Sequence, residues 1–147
     1  MPRRVNVKRT PEHRLTANIV SSKFSYFIAD YRPTGVSFVD DEALIELETT
    51  IEEIEPANPD HHGAALECAL ICAKRYNIDP PGVVGHPGLF SVILKRNRRS
   101  VLAYLPSEAF WALQTRLDVQ KLNRLELTYI APSRGVGDLT GIYVRQT

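Results

Sequence analysis

Residues Leu89 to Leu105, LFSVILKRNRRSVLAYL, decide the fold. Two apolar runs flank a polar tip, the pattern of a β-hairpin. With Asn97 and Arg98 as the central turn residues, Arg96 faces Arg99, Leu94 faces Val101, Val92 faces Ala103 and Phe90 faces Leu105. The two-residue period then puts Phe90, Val92, Leu94, Val101, Ala103 and Leu105 on one face. Ile93, Leu102 and Tyr104 fall on the other. A hairpin apolar on both sides belongs in the middle of a sheet or sandwich, with its tip, Lys95 to Arg99, in water.

Working outward, the preceding chain reads as an antiparallel meander. Leu15, Ala17 and Ile19 alternate with Thr16, Asn18 and Val20, and Ser21-Ser22 reads as a turn. Phe24, Tyr26 and Ile28 then alternate with Ser25, Phe27 and Ala29. Pro33-Thr34-Gly35 marks the next turn, Val36–Val39 a short strand, and Asp40-Asp41 a turn after it. Across 43–55, Ile45, Leu47, Thr49 and Ile51 alternate with Glu46, Glu48, Thr50 and Glu52, a half-buried strand with an acidic outer face. The phase breaks at Glu53-Ile54, where a bulge or the strand's end is expected.

Two helices are predicted. Over 60–77 the text AALECALICAKRY (64–76) is rich in alanine and poor in β-branching, with Asp60 placed to cap its start. A buried strand pairing with residues 43–52 is the competing reading. The second helix covers 107–120, with Ser107 as N-cap and Phe110, Leu113 and Leu117 on one stripe beside Trp111. Leu125–Ile130 and Leu139–Val144 read as strands around a glycine-containing loop, 132–138. The expected class is therefore α+β and β-rich: an antiparallel meander, sandwich or partly open barrel of about eight strands. Residues 1–12 form a basic N-terminal arm or edge strand, and 13–147 a single β-rich globular domain.

Composition bounds the function. The chain of 147 residues is 44% apolar and 24% charged, an ordinary soluble globule with enough length to bury a core. No apolar run approaches the roughly 20 residues that span a bilayer, and no apolar segment follows Arg3 and Arg4. No signal peptide or membrane contact is expected. Two cysteines give no disulfide framework, so a reducing, cytoplasmic setting is expected. The net charge of +1 argues against a general polyanion binder, but the charge is segregated.

The basic side consists of Arg3, Arg4, Lys8 and Arg9 in the arm and Lys95, Arg96, Arg98 and Arg99 at the tip. These suit phosphates of a nucleic acid, or an acidic protein partner. The acidic side is Asp40, Asp41, Glu42, Glu46, Glu48, Glu52, Glu53, Glu55 and Asp60, nine acids with no base between them. Like charges along one strand face repel, so Glu46, Glu48 and Glu52 suit a basic partner, within the chain or outside it.

Other constellations are weaker. His61-His62 with Cys68 and Cys72 has zinc-type ligands, but the cysteines sit among Ala65, Leu66, Ala69 and Leu70 like small buried hydrophobes. No metal or cofactor is expected. His13, His61, His62 and His86 are available as bases, yet no local signature pairs one with a nucleophile, which leans away from an enzyme. Ser133–Asp138 suits a small anion nest or a hairpin loop.

The fragment Asp30-Tyr31-Arg32-Pro33-Thr34-Gly35 resembles the short D-x-S-x-x-G element of PilZ domains, which bind cyclic di-GMP on a β-barrel. In that family an upstream R-x-x-x-R clamps the ligand. Here Arg9 and Arg14 are one residue too far apart and Arg32 stands where serine is expected. The resemblance covers these few residues and assigns no family. The function predicted first is a non-catalytic binding module acting through a protein partner or by self-association, using the basic tip or the acidic strand face. Nucleic-acid or nucleotide binding through arm and tip is the alternative, and a small enzyme the third.

Overall fold

The computed structural model describes residues 12–35, 39–73, 89–119 and 122–147. Among these residues seven strands and one α-helix follow in chain order, with a 3₁₀ turn at Arg32–Thr34: β1 (Glu12–Asp30), β2 (Val39–Glu55), β3 (Ala65–Ala73), β4 (Ser91–Lys95), β5 (Arg98–Tyr104), α1 (Ser107–Asp118), β6 (Arg124–Ile130) and β7 (Val136–Arg145). They close into a barrel in the order β1-β2-β3-β5-β4-β7-β6, with β6 returning to β1. Every pairing is antiparallel except β3 with β5, which is parallel because β4 enters the ring on the far side of β5. The barrel is closed rather than partly open.

The central hairpin is placed as its two apolar faces demand. β4 lies between β5 and β7, and β5 between β3 and β4. Its register differs from the expected one by two residues: Val92 faces Val101 and Leu94 faces Arg99, so the turn is centred on Arg96-Asn97. A shift of two preserves the faces, and Val92, Leu94, Val101, Ala103 and Leu105 are buried as expected. Phe90 is the exception. Its φ of 87° breaks the alternation one residue before β4, and the side chain is 48% exposed, edge-on to Tyr104.

The first two strands are longer than the sequence suggests. No turn forms at Ser21-Ser22. Instead Ile19 faces Thr49 and Ser21 faces Glu48, so Val20 is a bulge. One extra residue moves the inward set from odd positions (Leu15, Ala17) to even ones (Phe24, Tyr26), the phase change that the sequence offered as a turn. Likewise Asp40-Asp41 is no turn: both pair with β1, opposite Ala29 and Ile28. On β2 the expected break is a second bulge at Glu52, since Thr16 faces Glu53 and Ala17 faces Ile51.

The predicted helix over 60–77 is a strand, β3, paired with residues 42–50. Leu66, Cys68, Leu70 and Cys72 point into the core. Ala65 and Ala69 on the outer side are themselves apolar, which hides the alternation. Asp60 therefore caps no helix; its backbone N–H donates to Asn58 Oδ1, an Asx turn. The helix α1 is as expected, except that Pro106 holds the N-cap position in place of Ser107 and the helix ends at Asp118. Its Phe110 and Leu117 join the core and stopper one end of the barrel. Among the described residues, no helix is long and apolar enough to cross a membrane.

Candidate functional site

The other end of the barrel is a mouth where the loop between β2 and β3 meets the basic hairpin tip. The tip is not simply solvated. Arg99 Nε donates to His61 Nδ1 at 2.9 Å, Nη2 donates to the Asp60 carbonyl at 2.7 Å and Nη1 to the Arg96 carbonyl at 3.2 Å. Arg96 pairs with the Asp60 carboxylate at 3.3 Å. Of the four tip cations proposed as a contact surface, two therefore anchor a neighbouring loop, while Lys95 and Arg98 stand exposed, opposite each other across the last rung of the hairpin. The arm residues Arg3, Arg4, Lys8 and Arg9, like His86, lie outside the described residues.

His61 is 6% exposed. Burial, and next the adjacent guanidinium of Arg99, hold its imidazole below the usual histidine range, with Asp60 opposing. A neutral ring whose Nδ1 accepts from Arg99 must carry its proton on Nε2. Beside it, Tyr129 is fully buried, its hydroxyl makes no hydrogen bond, and burial pushes the phenol up to about 12. His13 packs edge-on to the Tyr129 ring at 5.7 Å. Sequence reasoning missed Tyr129 and Asn58, because residues from β6 and the β2–β3 loop meet here only through barrel closure.

The acidic residues separate. Glu46 and Glu48 lie on the outer wall, Glu46 opposite Lys23 and Glu48 accepting from the Ser21 hydroxyl at 3.1 Å. Glu67 of β3 faces Glu48 directly, an unfavourable like pair. Glu52, at its bulge, pairs with Arg124 at 3.6 Å. Asp60, at the end of the acidic run, meets the basic tip. In β3 the cysteines point inward four residues apart, roughly 13 Å along a strand, too far to share one metal ion. Among the described residues no group of three or more His, Cys, Asp or Glu side chains is arranged to hold a metal.

Two loop expectations resolve plainly. Ser133–Val136 is a tight hairpin turn with Arg134 and Gly135 at φ 53° and 79°, and the backbones of Ser133 and Val136 bond each other both ways. Those two N–H groups are unavailable to an anion. Gly135 also needs its missing Cβ, because one would meet Lys95 Cγ at 2.7 Å. In the Asp30–Gly35 fragment, the Asp30 carboxylate accepts from the backbone N–H and the guanidinium of Arg32. That contact holds the Asp30 carboxyl below its usual range, and the element closes on itself.

The largest feature unread in the sequence is the overshoot of β1. β6 pairs only with Glu12–Asn18, and among the described residues no strand flanks Val20–Asp30 on that side. This segment pairs with β2 alone. Phe24 packs on Phe110 and Trp111, and Tyr26 on Trp111. Even so, Tyr26 is 48% and Ile28 62% exposed, with Phe27 bare on the opposite face. The available signal was the aromatic density of FSYFIADY (24–31), too apolar for a ribbon in water.

No protein-family model matches the chain, and neither curated proteins nor solved structures yield a match.

Proposed function

We propose that this protein is a non-catalytic binding module acting through a protein partner, which adds an extended segment to the free edge of β1. One observation carries the proposal: among the described residues Val20–Asp30 has a paired side and an unpaired side, with apolar side chains on both faces. An edge of that kind is a template for another strand, with main-chain hydrogen bonds giving affinity and alternate side-chain contacts giving specificity. The basic tip and acidic wall, the surfaces expected from sequence, support it less, since Arg96, Arg99 and Glu52 are engaged within the chain. On the outer face of the ribbon Glu46 and Glu48 stand beside the single cation Lys23, which favours a partner strand flanked by Lys or Arg and disfavours nucleic acid on this face.

The test is selection from a displayed library of random ten-residue peptides. Enriched peptides should alternate apolar residues between basic flanks, shift the amide resonances of Ser21–Asp30, and be lost with Phe27→Lys plus Ile28→Lys. Enrichment without alternation, or shifts confined elsewhere, would count against the edge. Salt-sensitive binding of a single-stranded oligonucleotide, lost on Lys95→Ala plus Arg98→Ala, would replace this function with the nucleic-acid alternative.

A further inference from the structure

We propose that the strand received by the β1 edge is the basic arm of a second copy of this chain, Arg3-Arg4-Val5-Asn6-Val7-Lys8-Arg9. The inference rests on the edge reading above and names its partner. As a strand the arm has two unlike faces by the two-residue period. Val5 and Val7 lie on one, ended by Arg3 and Arg9; Arg4, Asn6 and Lys8 lie on the other. The free edge is divided in the same way. On its inner side Phe24, Tyr26 and Ile28 remain exposed beside Trp111. On its outer side Glu42, Glu46, Glu48 and Glu67 share the wall with Lys23, and Glu48 directly faces Glu67. Val5 and Val7 therefore extend the apolar strip, while Arg4 and Lys8 relieve the repulsion between like charges. Where the free edge begins, a cavity of about 520 Å³ lined by Val20, Leu117, Asp118 and Leu122 gives room for an arginine at the end of the valine face, beside the Asp118 carboxylate.

Covalent reach makes the donor another copy. β6 holds the same side of β1 from Glu12 to Asn18, so an added strand must lie beyond them. Val5 precedes Glu12 by seven residues and Phe24 follows it by twelve. At full extension Val5 reaches about 25 Å from Glu12, whereas Phe24 stands about 40 Å along the strand. The arm cannot lie along Phe24–Ile28 of its own chain. Reciprocal donation between two copies closes a dimer.

Sedimentation of the full chain and of two double variants tests this. Arg4→Glu plus Lys8→Glu spoils the arm and leaves the edge; Phe27→Lys plus Ile28→Lys spoils the edge and leaves the arm. Both should melt with the wild type. The wild-type chain should be dimeric at roughly 100 μM, and about tenfold weaker in high salt. Each variant alone should be monomeric, and mixing the two should yield a heterodimer through the one intact arm and the one intact edge. A monomeric wild type, an arm variant that dimerises as the wild type does, or a mixture that stays monomeric would overturn the arm as occupant. Peptide selection against the arm variant, whose edge is open, decides separately whether the edge reading stands.

Discussion

Replacing Arg99 with methionine keeps its stem and removes its guanidinium, and the cost follows from three hydrogen bonds. The bonds to His61 Nδ1 at 2.9 Å and to the Asp60 carbonyl at 2.7 Å are short, the first of them partly buried; the one to Arg96 at 3.2 Å is long and exposed. At a net contribution of about 1 kcal/mol for each short bond and little for the third, the direct loss is about 2 kcal/mol. His61 is then left with a buried nitrogen lacking a donor, which adds about 1 kcal/mol. A total near 3 kcal/mol should lower the melting temperature by roughly 6–12 °C and the urea midpoint without a change in slope. The imidazole should report the same event. With the Arg99 charge gone its pKa rises, yet stays below the ordinary value because burial, the larger cause, persists. Urea melts and a histidine NMR titration read both quantities. An unchanged midpoint, or an unchanged His61 titration, would refute the role given to Arg99.

Other perturbations have equally definite outcomes. Val92, fully buried in the ring, should tolerate no charge: Val92→Asp costs several kcal/mol, and an unaltered melt would remove it from the core. His61, depressed in the fold, contributes stability that is present above about pH 6.5 and lost as pH falls through its folded pKa. The wild-type urea midpoint should therefore drop between pH 7.5 and 5 more than that of His61→Gln. Burial raises the Cys68 thiol from 9.0 to about 12, so stability should decline as pH rises above 9, and Cys68 should resist thiol reagents at pH 8 unless denaturant is added. Deleting Val20 removes the bulge and lets Ser21 follow Ile19 on the same faces, so the chain should remain folded; deleting Ser25 carries Tyr26 to the wrong face and should expose Trp111, read as a red shift in its fluorescence.

Legibility in the sequence followed how local each signal was. The 89–105 hairpin was readable because its apolar alternation and charged tip sit within 17 residues. Its register was not, since pairings two residues apart satisfy the same faces. β3 was misread because Ala65 and Ala69 on the outer wall look as apolar as Leu66 and Leu70 within it, leaving helix propensity to decide. The second phase of β1 was visible, but a bulge and a turn leave the same trace in one strand. The mouth was beyond reach: the partners Arg99 and His61 are 38 residues apart, and only ring closure brings Tyr129 near His61.

The mismatch between β1, 19 residues long, and β6, seven, has a consequence for handling the protein. Among the described residues the overshoot of β1 is the longest apolar edge left without a neighbouring strand, so propensity to self-associate resides in the native state and not in its unfolding. Mutations that raise the melting temperature elsewhere should leave solubility unchanged. A few polar replacements along Phe27–Ile28 should improve it while leaving the melt unmoved.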